Sequence, residues 1–221
     1  MQYMSSVEEH IRIIESSLPE GTLLVAVSKF RPISQLQQAY DCGQRVFAES
    51  RPLEAAQKAA ALPKDIKWHF IGHLQTNKLK FVLPYVSLVH SADSVHLIDA
   101  IGKYSEANGL VTNILIEVHI GREVTKQGFS PEEALEFARN FRQSDYPAIR
   151  VCGLMGMASH TDDEAVIDND FARLEILFNT IKDECPQLGD FKELSIGMSA
   201  DWPIAIRHHA TMVRIGSAIF D

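Results

Sequence analysis

Two hydrophobic patterns alternate along this chain. The first is a short β-rich run. It occurs at Thr22–Ser28 (TLLVAVS), Arg45–Glu49, Lys67–Ile71, Val86–His90, Thr112–Ile120, Ile149–Met155, Lys192–Ile196 and Met212–Ser217, giving eight candidate strands. The second has helical spacing. Val7, Ile11, Ile14 and Leu18 follow the i, i+4, i+7, i+11 rule, and Ser6 with Glu9 forms a capping-box pair ahead of them. Ser130, Pro131 and Glu133 fit the N-cap, N1 and N3 positions of a helix whose apolar stripe is Ala134, Phe137, Ala138 and Phe141. Ile167, Phe171, Leu174, Phe178 and Ile181 make another stripe, which ends before Pro186. Shorter helical patterns fit Ile33–Asp41, Arg51–Ala61, Leu74–Phe81, Ser94–Ala107 and Asp201–His208.

Strands that alternate with helices imply parallel pairing through crossover connections. Eight of them favour a closed (β/α)8 TIM barrel over an open sheet. Residues 1–221 are expected to form a single domain, since no linker, low-complexity tract or repeat of 20–50 residues interrupts the chain. The pattern leaves no room for a helix after the last strand. It places an extra helix before the first one, where it can cover the same seam.

Composition narrows the function classes. The chain has 221 residues, 46% of them hydrophobic and 23% charged, so a large core is expected and a disordered chain is not. Lys and Arg number 21 against 29 Asp and Glu, a net charge of −8 without a basic stripe. That argues against nucleic acid as a partner. No apolar run reaches the length of a membrane span. Three cysteines (Cys42, Cys152, Cys185) without CxxC spacing fit reduced thiols in a cytoplasmic protein.

In such a barrel the chemistry gathers at the C-terminal strand tips. Lys29 ends the first strand, in phase with Val25 and Val27. If that face lines the interior, the amine enters an apolar mouth, where desolvation favours the neutral nucleophile. A solvated lysine capping the strand is the plainer alternative. Gly197-Met198-Ser199 forms a small turn before a helix and offers backbone N–H groups to an anion, although Ser199 also suits a simple N-cap. Arg214 lies inside the last β-run, in phase with Met212 and Gly216, and Gly216 and Ser217 follow at its tip. Its rival role is a salt bridge to Glu117 or Asp201. His69 and His73 are four apart but straddle a strand end, which argues against a shared metal. A lysine at one tip and a phosphate cradle at the last two describe a site for a phosphorylated carbonyl compound. A Schiff-base aldolase acting on sugar phosphates and a pyridoxal 5′-phosphate protein both fit.

The segments LLVAVSKFRP, FAES, KWHFIGHLQTNKLK, VSLVHSADS, VCGLMGMA, LSIGMSADW and TMVRIGSAIF together resemble the pyridoxal-phosphate homeostasis protein family, single-domain relatives of the alanine racemase N-terminal barrel. The resemblance runs from about Leu23 to Phe220. It implies a barrel of the alanine-racemase type with pyridoxal 5′-phosphate held as an imine on Lys29. It also implies cofactor contacts at Gly197, Met198, Ser199, Arg214, Gly216 and Ser217. Where the family commonly has Asn-Tyr after the second strand, this chain has Ser50-Arg51, so Ser50 is the weakest contact.

The resemblance further implies a cofactor carrier without robust turnover, with apo pyridoxal-phosphate enzymes as recipients. Its expected state is a monomer or weak dimer. Arg214 matches the guanidinium that faces the pyridine nitrogen in these racemases, and a cation there weakens the ring as an electron sink. The chain is also expected to lack the C-terminal β-domain that supplies their second base. A small racemase-like enzyme is the alternative, and it would need His90, His119 or Tyr85 as that base.

Overall fold

The computed structural model describes residues 6–123 and 127–221. Eight parallel strands close into a barrel in chain order, each paired to the next and β8 to β1. The strands are β1 (Leu23–Val27), β2 (Val46–Glu49), β3 (Lys67–Phe70), β4 (Val86–Ala92), β5 (Thr112–His119), β6 (Ile149–Met157), β7 (Glu193–Ser195) and β8 (Met212–Ile215). All eight β-rich runs are strands, shifted at their ends by one or two residues. The helices are α1 (Ser6–Ser17), α2 (Ile33–Asp41), α3 (Pro52–Ala61), α4 (Val95–Ala107), α5 (Pro131–Asn140), α6 (Glu164–Glu184), α7 (Trp202–Arg207) and α8 (Ser217–Phe220).

Local chemistry explains most boundaries. Ser130 and Glu133 form the reciprocal capping box that opens α5, with Pro131 at N1. Ser94 caps α4 by accepting from the Leu97 amide. Four expectations need correction. Ser6 is already the first helical residue of α1, so it is not the cap. The Leu74–Phe81 segment is a 3₁₀ helix starting at Thr76. β8 ends at Ile215, and Gly216 leads into α8. The barrel therefore does carry a helical turn after β8, because Ser217–Phe220 have just the length for one.

Alternation divides the core into two layers. Leu24, Ala26, Phe47, Phe70, Ile116 and Leu154 point outward beneath the helices. Val25, Val27, Val46, Ala48, Leu88, Leu115, Met155 and Met212 fill the barrel interior. Val25 and Val27 thus face inward, and Lys29 continues that phase to the mouth.

The seam between β8 and β1 is covered as expected. Val7, Ile11 and Ile14 of α1 are buried in the outer core. The His10 ring meets the Ile219 carbonyl of α8 through Nδ1 at 3.0 Å. Truncating Ile11 (1% exposed) to Ala should therefore cost about 3 kcal/mol in urea unfolding. A cost near zero would show that α1 is only peripheral.

Candidate functional site

The turn that carries Lys29 is tied down from behind. Ser28 and Glu49 point outward from the tips of β1 and β2, under α3, where both are fully buried. Glu49 Oε1 accepts from Ser28 Oγ at 2.6 Å and from Lys58 Nζ at 2.7 Å. The same ammonium donates to the Ser28 carbonyl and to Glu54 Oε1, each at 2.7 Å. Glu54 also accepts from the Phe30 amide at 3.1 Å. Both neighbours of Lys29 are therefore anchored. The turn closes with Phe30 left-handed (φ 65°), and the Arg51 guanidinium lies over the Phe30 ring at 4.1 Å. Burial raises the Glu49 carboxyl, and Lys58 and Ser28 oppose it. Lys58 was not among the expected residues. Its signal was a lysine inside an otherwise small apolar stripe, beside Ala55, Ala59 and Leu62.

Lys29 itself is exposed at the mouth. Of the two settings weighed for its amine, the solvated one is found, because β1 ends at Val27 and Lys29 lies beyond it. Ser50 is half-buried and in phase with Val46 and Ala48. Gly72 lies against it so closely that an added Cβ would sit 2.1 Å from the Ser50 carbonyl oxygen.

Across the mouth, the turns after β7 and β8 meet. Gly197 is left-handed (φ 89°), and a Cβ there would come within 2.7 Å of Ala205 Cβ. Met198 donates its amide to Asp201 Oδ1. Ser199 is not the N-cap of α7. Its Oγ instead accepts from the amides of Gly216 (3.2 Å) and Ala218 (3.4 Å). The Arg214 amide donates to the Gly197 carbonyl at 2.9 Å. A Cβ on Gly216 would press on the Val27 carbonyl at 3.1 Å, so this turn also abuts β1. The structure thus gathers Gly197, Met198, Ser199, Arg214, Gly216 and Ser217 beside the root of the Lys29 turn.

Arg214 is buried inside the barrel. Its Nη1 donates to Ser195 O and Ser195 Oγ, each at 2.7 Å, and Nη2 donates to the Gly156 carbonyl at 3.0 Å. Three of its five N–H groups are engaged. Burial lowers its pKa to about 10, while Asp201 and Glu117 raise it through space. Among the described residues neither carboxylate forms an ion pair with it, so carbonyl and hydroxyl acceptors stand in place of the rival salt bridge. Below Arg214, His90 Nδ1 meets Ser195 Oγ at 3.0 Å, and His90 Nε2 meets His69 Nδ1 at 2.9 Å. His69 and His73 part company, since His73 lies outside against Asp93.

A cleft of about 380 Å³ opens on the β5–β6 side of the mouth, lined by Glu117, His119, Met157, Met198 and Asp201 among others. Glu117 is 3% exposed, and its Oε2 is buried without a hydrogen-bond partner among the described residues. Burial, with Asp93 adding to it, raises its pKa to about 7.

Residues 4–221 match the family described as "Alanine racemase, N-terminal domain". A pyridoxal phosphate homeostasis protein of Aquifex aeolicus is 37% identical, over 89% of this chain and 85% of its own length. The Schizosaccharomyces pombe protein of that name is 34% identical, over 98% and 93%. The chain belongs to the pyridoxal phosphate homeostasis protein family. Among solved structures, PipY of Synechococcus elongatus PCC7942 without PLP superposes with a TM-score of 0.91 at 31% identity, covering 97% of this chain and all of that one. PipY with PLP bound gives 0.86 at 30% identity, with the same coverage. The likeness to alanine racemase from Bartonella henselae (TM-score 0.76, 15% identity, 97% of this chain and 58% of that one) is one of fold.

The buried Glu117 carboxyl makes a pH-dependent prediction. Its folded pKa lies above its unfolded value of 4.5, so the native state binds the extra proton between pH 4.5 and 7. Stability from this group is complete at low pH and is lost as pH rises through about 7. Glu117→Gln should match the parent chain near pH 4.5 and exceed it by up to about 3 kcal/mol at about pH 8. Urea titrations of both proteins across that range check this. An advantage that does not grow with pH would refute the burial of an unpaired carboxyl.

Proposed function

We propose that this chain binds pyridoxal 5′-phosphate at the barrel mouth, anchored as an imine on Lys29. We propose further that it serves as a carrier in the homeostasis of that cofactor, in the cytoplasm and without robust turnover. The observation that carries the reading is one rim holding three complementary parts. An exposed lysine stands on a fixed turn, two abutting turns present backbone N–H groups and hydroxyls, and a buried guanidinium has two N–H donors without a partner among the described residues. The residues fit the cofactor. Gly197 and Gly216 leave no space for a side chain between the turns, and the amides of Gly216 and Ala218 already donate to a polar oxygen, that of Ser199. In this reading those turns hold the phosphate, Arg214 faces the ring nitrogen, and Ser50 borders the mouth. When bound, the cofactor supplies an aldehyde that condenses with a primary amine.

The absence of strong turnover is supported by where the candidate second bases lie. His90 is enclosed at mid-barrel, with both ring nitrogens occupied. Tyr85 precedes β4 and so lies at the opposite end from the mouth. Of the three, only His119, half-buried at the β5 tip, borders the cleft. A cation held against the ring nitrogen also disfavours its protonation, and with it carbanion chemistry. Apo pyridoxal-phosphate enzymes would be the recipients, and the protein would act as a monomer or weak dimer.

Reduction with borohydride followed by peptide mass spectrometry tests the anchor. A pyridoxyl adduct is expected on Lys29 and absent in Lys29→Ala. An adduct elsewhere, or no adduct with cofactor in excess, overturns the reading. Solvent-deuterium exchange at an amino acid Cα should not exceed that of free cofactor. Sustained exchange would favour the racemase-like alternative, with His119→Ala abolishing it.

A further inference from the structure

The interior of a (β/α)8 barrel is ordinarily filled by bulky apolar side chains. Here its middle layer carries a continuous polar line. His69 on β3, His90 on β4, Ser195 on β7 and Arg214 on β8 are all in phase with the inward-facing residues, and all are 5% exposed or less. The contacts run Arg214 Nη1 to Ser195 Oγ (2.7 Å), Ser195 Oγ to His90 Nδ1 (3.0 Å) and His90 Nε2 to His69 Nδ1 (2.9 Å). His69 also borders a polar cavity at the opposite end of the barrel, together with Ser87, Asn113 and Lys192.

Hydrogen-bond accounting fixes every proton in the line. A guanidinium has no acceptor, so Ser195 Oγ must accept from Arg214. A buried hydroxyl proton needs a partner, and the remaining neighbour is His90 Nδ1. His90 Nδ1 is therefore bare and, in the neutral ring, Nε2 carries the proton and donates to His69 Nδ1. His69 in turn carries its proton on Nε2. Burial holds both rings neutral, with His69 lowered to about 4 and His90 well below its ordinary value.

We propose that Ser195 and His90 are positioning residues that lock Arg214 as a donor toward the cofactor ring nitrogen, with His69 completing the line to the far end of the barrel. This rests on the cofactor reading above. The physical need is plain. Asp201 and Glu117 both attract the guanidinium through space. A guanidinium free to turn would pair with one of them. Two donors spent on Ser195 and one on the Gly156 carbonyl prevent that, and the His–His contact keeps the Ser195 hydroxyl oriented to accept from it.

The first test uses the cofactor-free protein with ¹⁵N-labelled histidine. Long-range ¹H–¹⁵N correlation at neutral pH should show His69 and His90 both as the Nε2–H tautomer. A His90 protonated at Nδ1 overturns the line. The second test compares Ser195→Ala with Ser195→Thr, both loaded with cofactor ¹⁵N-labelled at the ring. The ring nitrogen should be bare in the parent chain and in Ser195→Thr, and should show partial protonation in Ser195→Ala. The same Ala variant should lose the single His90 tautomer. A bare ring nitrogen in Ser195→Ala, with its histidine signals altered, overturns the positioning role. If the parent chain forms no reducible imine, the cofactor reading falls, while the histidine tautomers of that same sample still decide whether the line exists.

Discussion

A guanidinium enclosed at the centre of a protein needs acceptors, and this architecture supplies three to Arg214. Its backbone belongs to the β1–β8 closure, where Arg214 pairs with Val25. Its side chain reaches across to carbonyls of β6 and β7. One residue therefore helps to join three strands. Removing any acceptor would leave a buried charge short of partners, which is among the costlier defects a core can carry.

The rim is built differently on its two sides. The Lys29 side is held by charge: Lys58 gathers Ser28, Glu49 and Glu54 behind the turn and leaves the Lys29 amine outside that network. The opposite side is held by close backbone approach, where Gly197 and Gly216 permit contacts that any Cβ would break. Electrostatic anchoring behind Lys29 and steric permission at the two glycine turns act differently. The first fixes a turn without touching the amine. The second brings N–H groups to a shared point.

Much of this was legible in the residues. Eight β-rich runs and the intervening stripes gave the barrel, because period two and period 3.6 are both strong where an element buries one face. Lys29, Arg214 and the two glycine turns stood out because a cation or a glycine at a strand tip breaks the apolar pattern. Both an enclosed and a solvated Lys29 suited the pattern, and the end of β1 with the left-handed Phe30 that follows decides for the solvated one. Ser195 and Lys58 were missed for a common reason. A serine in a three-residue strand and a lysine in an alanine-rich helix look ordinary until register shows what each one faces. The phase of Arg214 was visible, but only barrel closure brings His69 and His90 into line with it.

Closure of the seam also has a temporal consequence. Arg31, just past the Lys29 turn, bonds to the Phe220 carbonyl, a contact spanning 189 residues. The halves of the rim thus come from opposite ends of the barrel's chain path, and neither half is a site by itself. Such long-range pairing is slow to form and is rewarded only at the end of folding. A ligand of this rim would have no affinity for a nascent or partly closed chain. Its binding energy would fall entirely on the closed state, so the occupancy of the rim would also govern how long the barrel stays shut.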